Sequence, residues 1–224
     1  MISWLPTCCL WCKSTKNIIS SLQICNNCHN KLFLQNFLQH SHSSIKCTSF
    51  RVPFSFSDPL REMIHEWKYH AKSELTRPLS QAAIATWNLQ SLDLDLIIPV
   101  PPHRDRLKER RIHQTLLLAK AVSRLKNVPI FYGLIRTKIT PSQTTFNRGE
   151  RQKNLRNAFQ IKSPEKITNR RILLIDDIIT TGATIREAIK AVKQGNPLEI
   201  HVRALARQDF TLTTPLDNCY IAHL

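Results

Sequence analysis

The chain has 224 residues and carries 32 Lys and Arg against 16 Asp and Glu, a formal net charge of +16. That length supports one good core with a small appended module and not two large domains, and the positive excess calls for an acidic partner. No stretch approaches the roughly 18 consecutive apolar residues of a membrane span, and the chain opens with cysteines and polar groups where a signal peptide needs an apolar segment, so a cytoplasmic protein without membrane insertion is expected.

Six of the seven cysteines crowd into the first 47 residues. In a reducing compartment they do not read as a disulfide framework, and their spacing points to metal. Cys9, Cys12, Cys25 and Cys28 spell C-x2-C-x12-C-x2-C, two knuckles that can close a tetrahedral thiolate site around structural zinc. Cys8 competes with Cys9 for the first knuckle and His29 with Cys28 for the second. Cys47, His40 and His42 lack paired spacing and receive no role, and Cys219 reads as a small core residue. Residues 1–50 are expected to form this zinc-knuckle module, with QHSHSSIKCTS as its exit, and residues 51–224 a second domain.

Two helices should follow. DPLREMIHEW offers Asp58 as a cap and Pro59 at the first helical position, and SELTRPLSQAAIATW is apolar at Leu75, Leu79, Ala82, Ala83 and Trp87, with Pro78 near its start. LDLIIPV, residues 94–100, reads as a strand that exits into PVPP and then dense charge. HQTLLLAKAVSRL is a further helix, and segments near Ile130 and Phe159 are candidate strands. Between them RTKITPSQTTFNRGERQKN is too long and polar for a mere linker, which marks a functional loop.

In RILLIDDIITTGAT, residues 171–184, the aliphatic run Ile172 to Ile175 predicts a strand covered on both faces and ending at Asp176. TIREAIKAVKQ then has Ile185, Ile189 and Val192 at helical spacing, with Gly195 placed as the stop. Only four glycines occur in the chain, so Gly182, between Thr181 and a helix start, reads as a position where backbone approaches a ligand. Thr180, Thr181, Gly182 and Thr184 at a helix N-terminus make a cradle for phosphate, with the carboxylates of Asp176 and Asp177 facing the same ligand. LEIHVRALA, residues 198–206, is expected to close the sheet. Strands alternating with helices imply a doubly wound parallel sheet with ligands at the carboxyl ends of its strands.

The stretch ILLIDDIITTGAT resembles the motif by which type I phosphoribosyltransferases bind 5-phosphoribosyl-1-diphosphate (PRPP). The resemblance implies an α/β fold, a parallel sheet with helices on both faces, in which Asp176 and Asp177 hold the ribose hydroxyls and Thr180, Thr181, Gly182, Ala183 and Thr184 wrap the 5-phosphate. Across the chain the order of knuckles, EWKYHAK, IIPVPPHRDRLKERRIHQ, RTKITPSQTTFNRGERQKNLRNAF and ILLIDDIITTGAT is similar to the ComF competence proteins, which join a zinc module to such a domain. That likeness makes Lys68 the lysine of the family's LK-aromatic element. It makes Pro99 to Arg104 a pyrophosphate loop, with Pro101, His103 and Arg104 as binding residues, and puts Arg136, Lys138, Gln143 and Arg151 on a flexible loop. Asp176, Asp177, Lys68 and Arg136 are then the catalytic candidates, with Mg²⁺ accompanying PRPP. Where the family has Gly-Phe-Asn-Gln, this chain has Arg111-Ile112-His113-Gln114 and keeps only the glutamine.

Residues 103–156 hold fourteen Lys and Arg against Asp105, Glu109 and Glu150, a local net of +11. PRPP needs only a few cations, so the surplus suggests a longer polyanion held through its phosphates, the alternative being a solvated basic face; few aromatics lie nearby to stack bases, and the competence resemblance makes single-stranded DNA that polyanion. The resulting expectation is a DNA-uptake protein of natural transformation that binds PRPP and single-stranded DNA, with other DNA-uptake proteins as candidate partners. The alternatives are a catalytically active phosphoribosyltransferase acting on a nucleobase or related amine, and a PRPP sensor without turnover.

Overall fold

The computed structural model describes residues 8–20, 23–34, 45–58, 60–69, 72–102, 113–137 and 157–208. In chain order they form β1 (Ile18–Ile19), β2 (Ile24–Cys25), α1 (Asn26–Leu34), β3 (Ser49–Arg51), β4 (Phe54–Ser55), α2 (Leu60–Tyr69), α3 (Thr76–Thr86), β5 (Leu96–Pro99), α4 (Gln114–Lys126), β6 (Leu134–Arg136), β7 (Phe159–Ile161), β8 (Arg171–Ile179), α5 (Ala183–Lys193) and β9 (Glu199–Arg207).

Side chains of a strand alternate between faces, and β8 uses both. Leu173 and Ile175 enter an apolar cluster with Trp67 of α2, Leu79 of α3 and Leu118 of α4, whereas Ile172 and Leu174 enter a second cluster with Ile185, Ile189 and Val192 of α5. A continuous aliphatic run is what a strand covered twice requires. β8 pairs in parallel with β5 on one side and β9 on the other, and the expected sheet with helices on both faces is the fold observed. Trp67 and Trp87 are fully buried in the first cluster, and each indole N–H has an acceptor, Thr76 Oγ1 at 3.0 Å and Ala204 O at 2.9 Å. A satisfied N–H lets so large a side chain be buried without a stranded donor.

Several elements differ from expectation. β9 does not close the sheet. β3 and β4 pair with it in parallel on the side away from β8, so β9 is internal and its seven middle residues are buried. The short edge strands left little sequence signal, because Pro53, which cannot donate a ladder hydrogen bond, separates them. β3 spans residue 50, and Cys9, Ile24, Cys25 and Cys28 share the first apolar cluster with Phe54 and Leu60.

The Ile130 segment makes a single parallel bridge to Ile97, while Phe159 begins β7, which pairs antiparallel with β6 outside the main sheet. β8 runs past Asp176 to Ile179, since Asp176, Ile178 and Ile179 stay in register with Ala204, Ala206 and Arg207 of β9. The Asp58 carboxylate accepts from Arg61 Nε at 3.0 Å and Nη2 at 2.7 Å.

α5 stops at Lys193, but Gly195 is not the left-handed residue that ends it; Asn196 is, with φ 51°. Glycine is required at 195 by crowding, since a Cβ there would lie 2.4 Å from Ile167 Cγ1 and 2.9 Å from the Pro164 carbonyl oxygen.

Candidate functional site

At the carboxyl half of β8, Asp176 is buried and Asp177 half-buried, and each carboxylate turns back on the chain. Asp176 Oδ1 accepts from the Asp177 N–H at 2.9 Å, and Asp177 Oδ1 accepts from the Ile178 N–H at 2.7 Å. The other oxygen of Asp177 pairs with Lys68 Nζ at 2.5 Å. Burial pushes the Asp176 carboxyl well above the usual carboxylate range, and the neighbouring Asp177 charge adds to that; the Asp177 N–H and Lys68 offset only part. Asp176 is therefore the member of the pair biased to keep a proton, and Asp177 the member held by a cation.

Lys68 reaches the aspartates because of how α2 packs. Leu60, Met63, Ile64 and Trp67 bury one face of that helix, which carries Lys68 inward in the last turn, where a cation suits the helix dipole. Gln114, buried at the start of α4, donates from Nε2 to the Trp67 carbonyl oxygen at 3.3 Å and so ties the two helices together beside Lys68. The glutamine that this chain shares with the family's Gly-Phe-Asn-Gln element thus has a structural contact.

His113 caps α4, its Nδ1 accepting from the Leu116 N–H at 3.0 Å. Burial pulls its pKa down, while the Asp177 charge works in the opposite direction. An Nδ1 that accepts must carry no proton, so in the neutral ring Nε2 holds it. Sequence reasoning placed His113 at the helix start but gave it no part near the carboxylates.

Beyond β8, Gly182 takes φ +73° as the cap of α5 and its carbonyl oxygen accepts from the Arg186 N–H at 3.0 Å. Glycine adopts that backbone without strain. Thr181 Oγ1 accepts from the Ala183 N–H at 3.3 Å, and Thr180, Thr181 and Thr184 are half-buried around the turn. Ile45, 5 % exposed, supports the turn from the side, 3.6 Å from where a Gly182 Cβ would lie. It belongs to the stretch read from sequence as an exit from the knuckle module, and a lone isoleucine among Ser and His gave no sign of that contact.

The Val100 N–H donates to the Ile175 carbonyl oxygen at 2.9 Å, which brings the start of the PVPP segment, with Pro101 half-buried, alongside the same strand end. Arg136 stands on β6 and not on a loop, its guanidinium carbon 5.6 Å from the Phe159 ring centroid. His103, Arg104, Arg111, Lys138, Gln143, Arg151 and Cys219 lie outside the described residues.

In the amino-terminal part, β1 and β2 pair antiparallel and bring the two knuckles together. The sulfurs of Cys9, Cys12, Cys25 and Cys28 all lie within 4.8 Å of one another, with Cys12 and Cys25 at 3.6 Å. Tetrahedral zinc with bonds of about 2.3 Å separates its sulfurs by about 3.8 Å, so the donor set fits. Cys9 and Cys28 occupy the positions contested by Cys8 and His29. Burial raises the Cys9 thiol, but N–H groups of Cys25, Cys12 and Trp11 outweigh it and bring the pKa to about 7. Cys28 is pushed far up by burial and by its three neighbours, as expected of thiols crowded without a cation between them. Among the described residues no helix is long and apolar enough to cross a membrane.

Residues 114–220 match the phosphoribosyl transferase domain family. Over 207 residues the chain is 30% identical to competence protein F of Haemophilus influenzae, covering 88% of this chain and 90% of that protein. It is 28% identical over 160 residues to the DNA utilization protein YhgH of Escherichia coli, covering 68% and 69%. The solved glutamine PRPP amidotransferase of B. subtilis, complexed with ADP and GMP, superposes with a TM-score of 0.41 at 16% identity over 62% of this chain and 30% of that one.

Proposed function

The chain belongs to the competence protein F family, and from that premise we propose that it serves DNA uptake in the cytoplasm as a PRPP-binding protein that also engages single-stranded DNA. The observation that carries this reading is the meeting, at one strand end, of the Lys68–Asp177 pair with the Thr180–Thr184 turn. Carboxylate oxygens accept hydrogen bonds from a diol, and the N–H groups at the start of α5 donate to a phosphate. In this reading Asp176 and Asp177 orient the ribose hydroxyls while the turn takes the 5-phosphate, and Lys68 keeps the Asp177 carboxylate in place. Pro101, His103 and Arg104 would receive the pyrophosphate, by the family resemblance, and Mg²⁺ bound with PRPP would supply charge neutralisation there.

The four knuckle cysteines hold one zinc ion in a structural role, since their closed thiolate set leaves no position for a substrate. DNA is met by the basic stretch between Arg104 and Arg156 through its phosphates, and other DNA-uptake proteins are the natural partners of such an activity. The test is calorimetry of PRPP with Mg²⁺ on the wild type and on Asp176→Ala with Asp177→Ala. Removing acidic side chains from an anion site should leave binding equal or tighter if charge alone mattered; the expected result is loss of binding because the diol loses its acceptors. Equal or tighter binding would sink the reading. Pyrophosphate release from PRPP with a panel of nucleobases, followed in the same preparation, separates a turning-over enzyme from a protein that binds without turnover.

A further inference from the structure

Folding by itself asks little of an imidazole at the start of α4. A helix cap needs one side-chain acceptor, and Asn, Asp or Ser supplies it well. His113 uses only Nδ1 for that task, accepting from the Leu116 N–H, so the neutral ring carries its proton on Nε2. Among the described residues no acceptor meets that Nε2–H. The ring is half-buried and belongs to the strand end already described. The adjacent Gln114 bonds the carbonyl of Trp67, whose neighbour Lys68 pairs with Asp177, and the Asp177 charge acts on the imidazole. The chain thus leaves the end of β8 at Val100, bonded to Ile175, and is back beside it at His113.

We propose that His113 is a pyrophosphate-binding residue of the PRPP site, its Nε2–H donating to a pyrophosphate oxygen and its ring taking up a proton as that anion arrives. The assignment rests on the reading that the end of β8 binds PRPP. The charged groups on the elements packed against α4 are Arg77 of α3 and Arg171, Asp176 and Asp177 of β8, with Lys68 of α2 joined through Gln114; the Asp177 charge is the one that acts on the ring. The cations of α4 itself, Lys120, Arg124 and Lys126, begin about two turns away. Burial outweighs Asp177 and keeps the free imidazole neutral at about pH 7. A phosphate oxygen against Nε2 favours the imidazolium, and a charge-assisted hydrogen bond is about twice as strong as a neutral one. Neutral when the site is empty and cationic when it is filled, His113 avoids leaving an unpaired charge half-buried. Affinity for pyrophosphate groups therefore rises as pH falls from about 8 to about 6, the range in which imidazole titrates.

The experiment is calorimetry of PRPP, inorganic pyrophosphate and ribose 5-phosphate, each with Mg²⁺, on the intact wild type and His113→Asn at about pH 6 and about pH 8. Two buffers of different ionisation enthalpy report the protons taken up, and thermal unfolding is recorded for both proteins. Asparagine keeps the cap of α4, so the variant's Tm should match the wild type's. At the lower pH, PRPP and pyrophosphate should bind the wild type roughly tenfold more tightly than the variant, the loss of a hydrogen bond from a charged group, and with greater proton uptake. At the higher pH the two proteins should bind about equally, and ribose 5-phosphate should not distinguish them at either. Equal pH dependence and equal proton uptake in the two proteins overturn the assignment and leave the PRPP site standing. A lowered Tm with affinity reduced alike at both pH values overturns it too, since His113 would then only cap α4. A difference seen with ribose 5-phosphate and not with pyrophosphate overturns it by placing the ring at the 5-phosphate. Failure of the wild type to bind PRPP overturns the PRPP reading, and this assignment with it.

Discussion

Replacing Lys68 by Met should destabilise the protein in a pH-dependent way. Lys68 and Asp177 side chains are only 10% and 15% exposed, so the pair is screened little by water. Removing one partner of a buried pair costs roughly 3–5 kcal/mol, because the other charge stays buried and unpaired. At about 2–4 °C per kcal/mol for a chain of this size, Tm should fall by roughly 6–20 °C. The pH dependence follows from Asp176, whose carboxyl is raised first by burial and then by Asp177. Such a group keeps its proton when folded after the unfolded chain has lost it. It contributes stability in full at acid pH and loses it as pH rises toward the folded value. Lys68 partly offsets the upward shift of Asp176, so without it that carboxyl moves further up, and the deficit of Lys68→Met should be smallest at acid pH and grow as pH rises from acid to mildly alkaline. Thermal unfolding of both proteins across that range is the assay. A deficit under about 0.5 kcal/mol, or one equally large at both ends, would refute the reasoning and leave only packing of the lysine stem.

Elemental analysis of purified protein should find about one zinc per chain, and Cys25→Ser should lower both metal content and stability of the amino-terminal part; metal-free protein with an unchanged fold would end the zinc assignment. Changing Arg106, Lys108, Arg110 and Arg111 to Ser should weaken single-stranded DNA binding for all sequences alike and flatten log K against log salt by roughly 0.7 for each phosphate no longer neutralised. Unchanged affinity and salt slope on oligonucleotides would make that cluster a solvated face.

The sequence by itself determined what is local and periodic. The run Ile172 to Ile175 could satisfy two covering layers only as an inner strand, Leu79, Ala82 and Ala83 could share a buried face only as a helix, with Leu75 and Trp87 at its two ends, and paired C-x2-C spacing specified both knuckles; all are found so. Tertiary structure decided the rest. The edge strands around Pro53 exist because β9 offers them a ladder, and they carry almost no pattern of their own. Ile45 under the turn and Gln114 on the Trp67 carbonyl join segments far apart in the chain, invisible to any local window. Lys68 was named from a resemblance alone; it became the partner of Asp177 because burial of α2 aims it there. Residue types and spacing record the backbone's preferences, whereas pairing of charges depends on which buried faces meet, and only the packed chain brings them together.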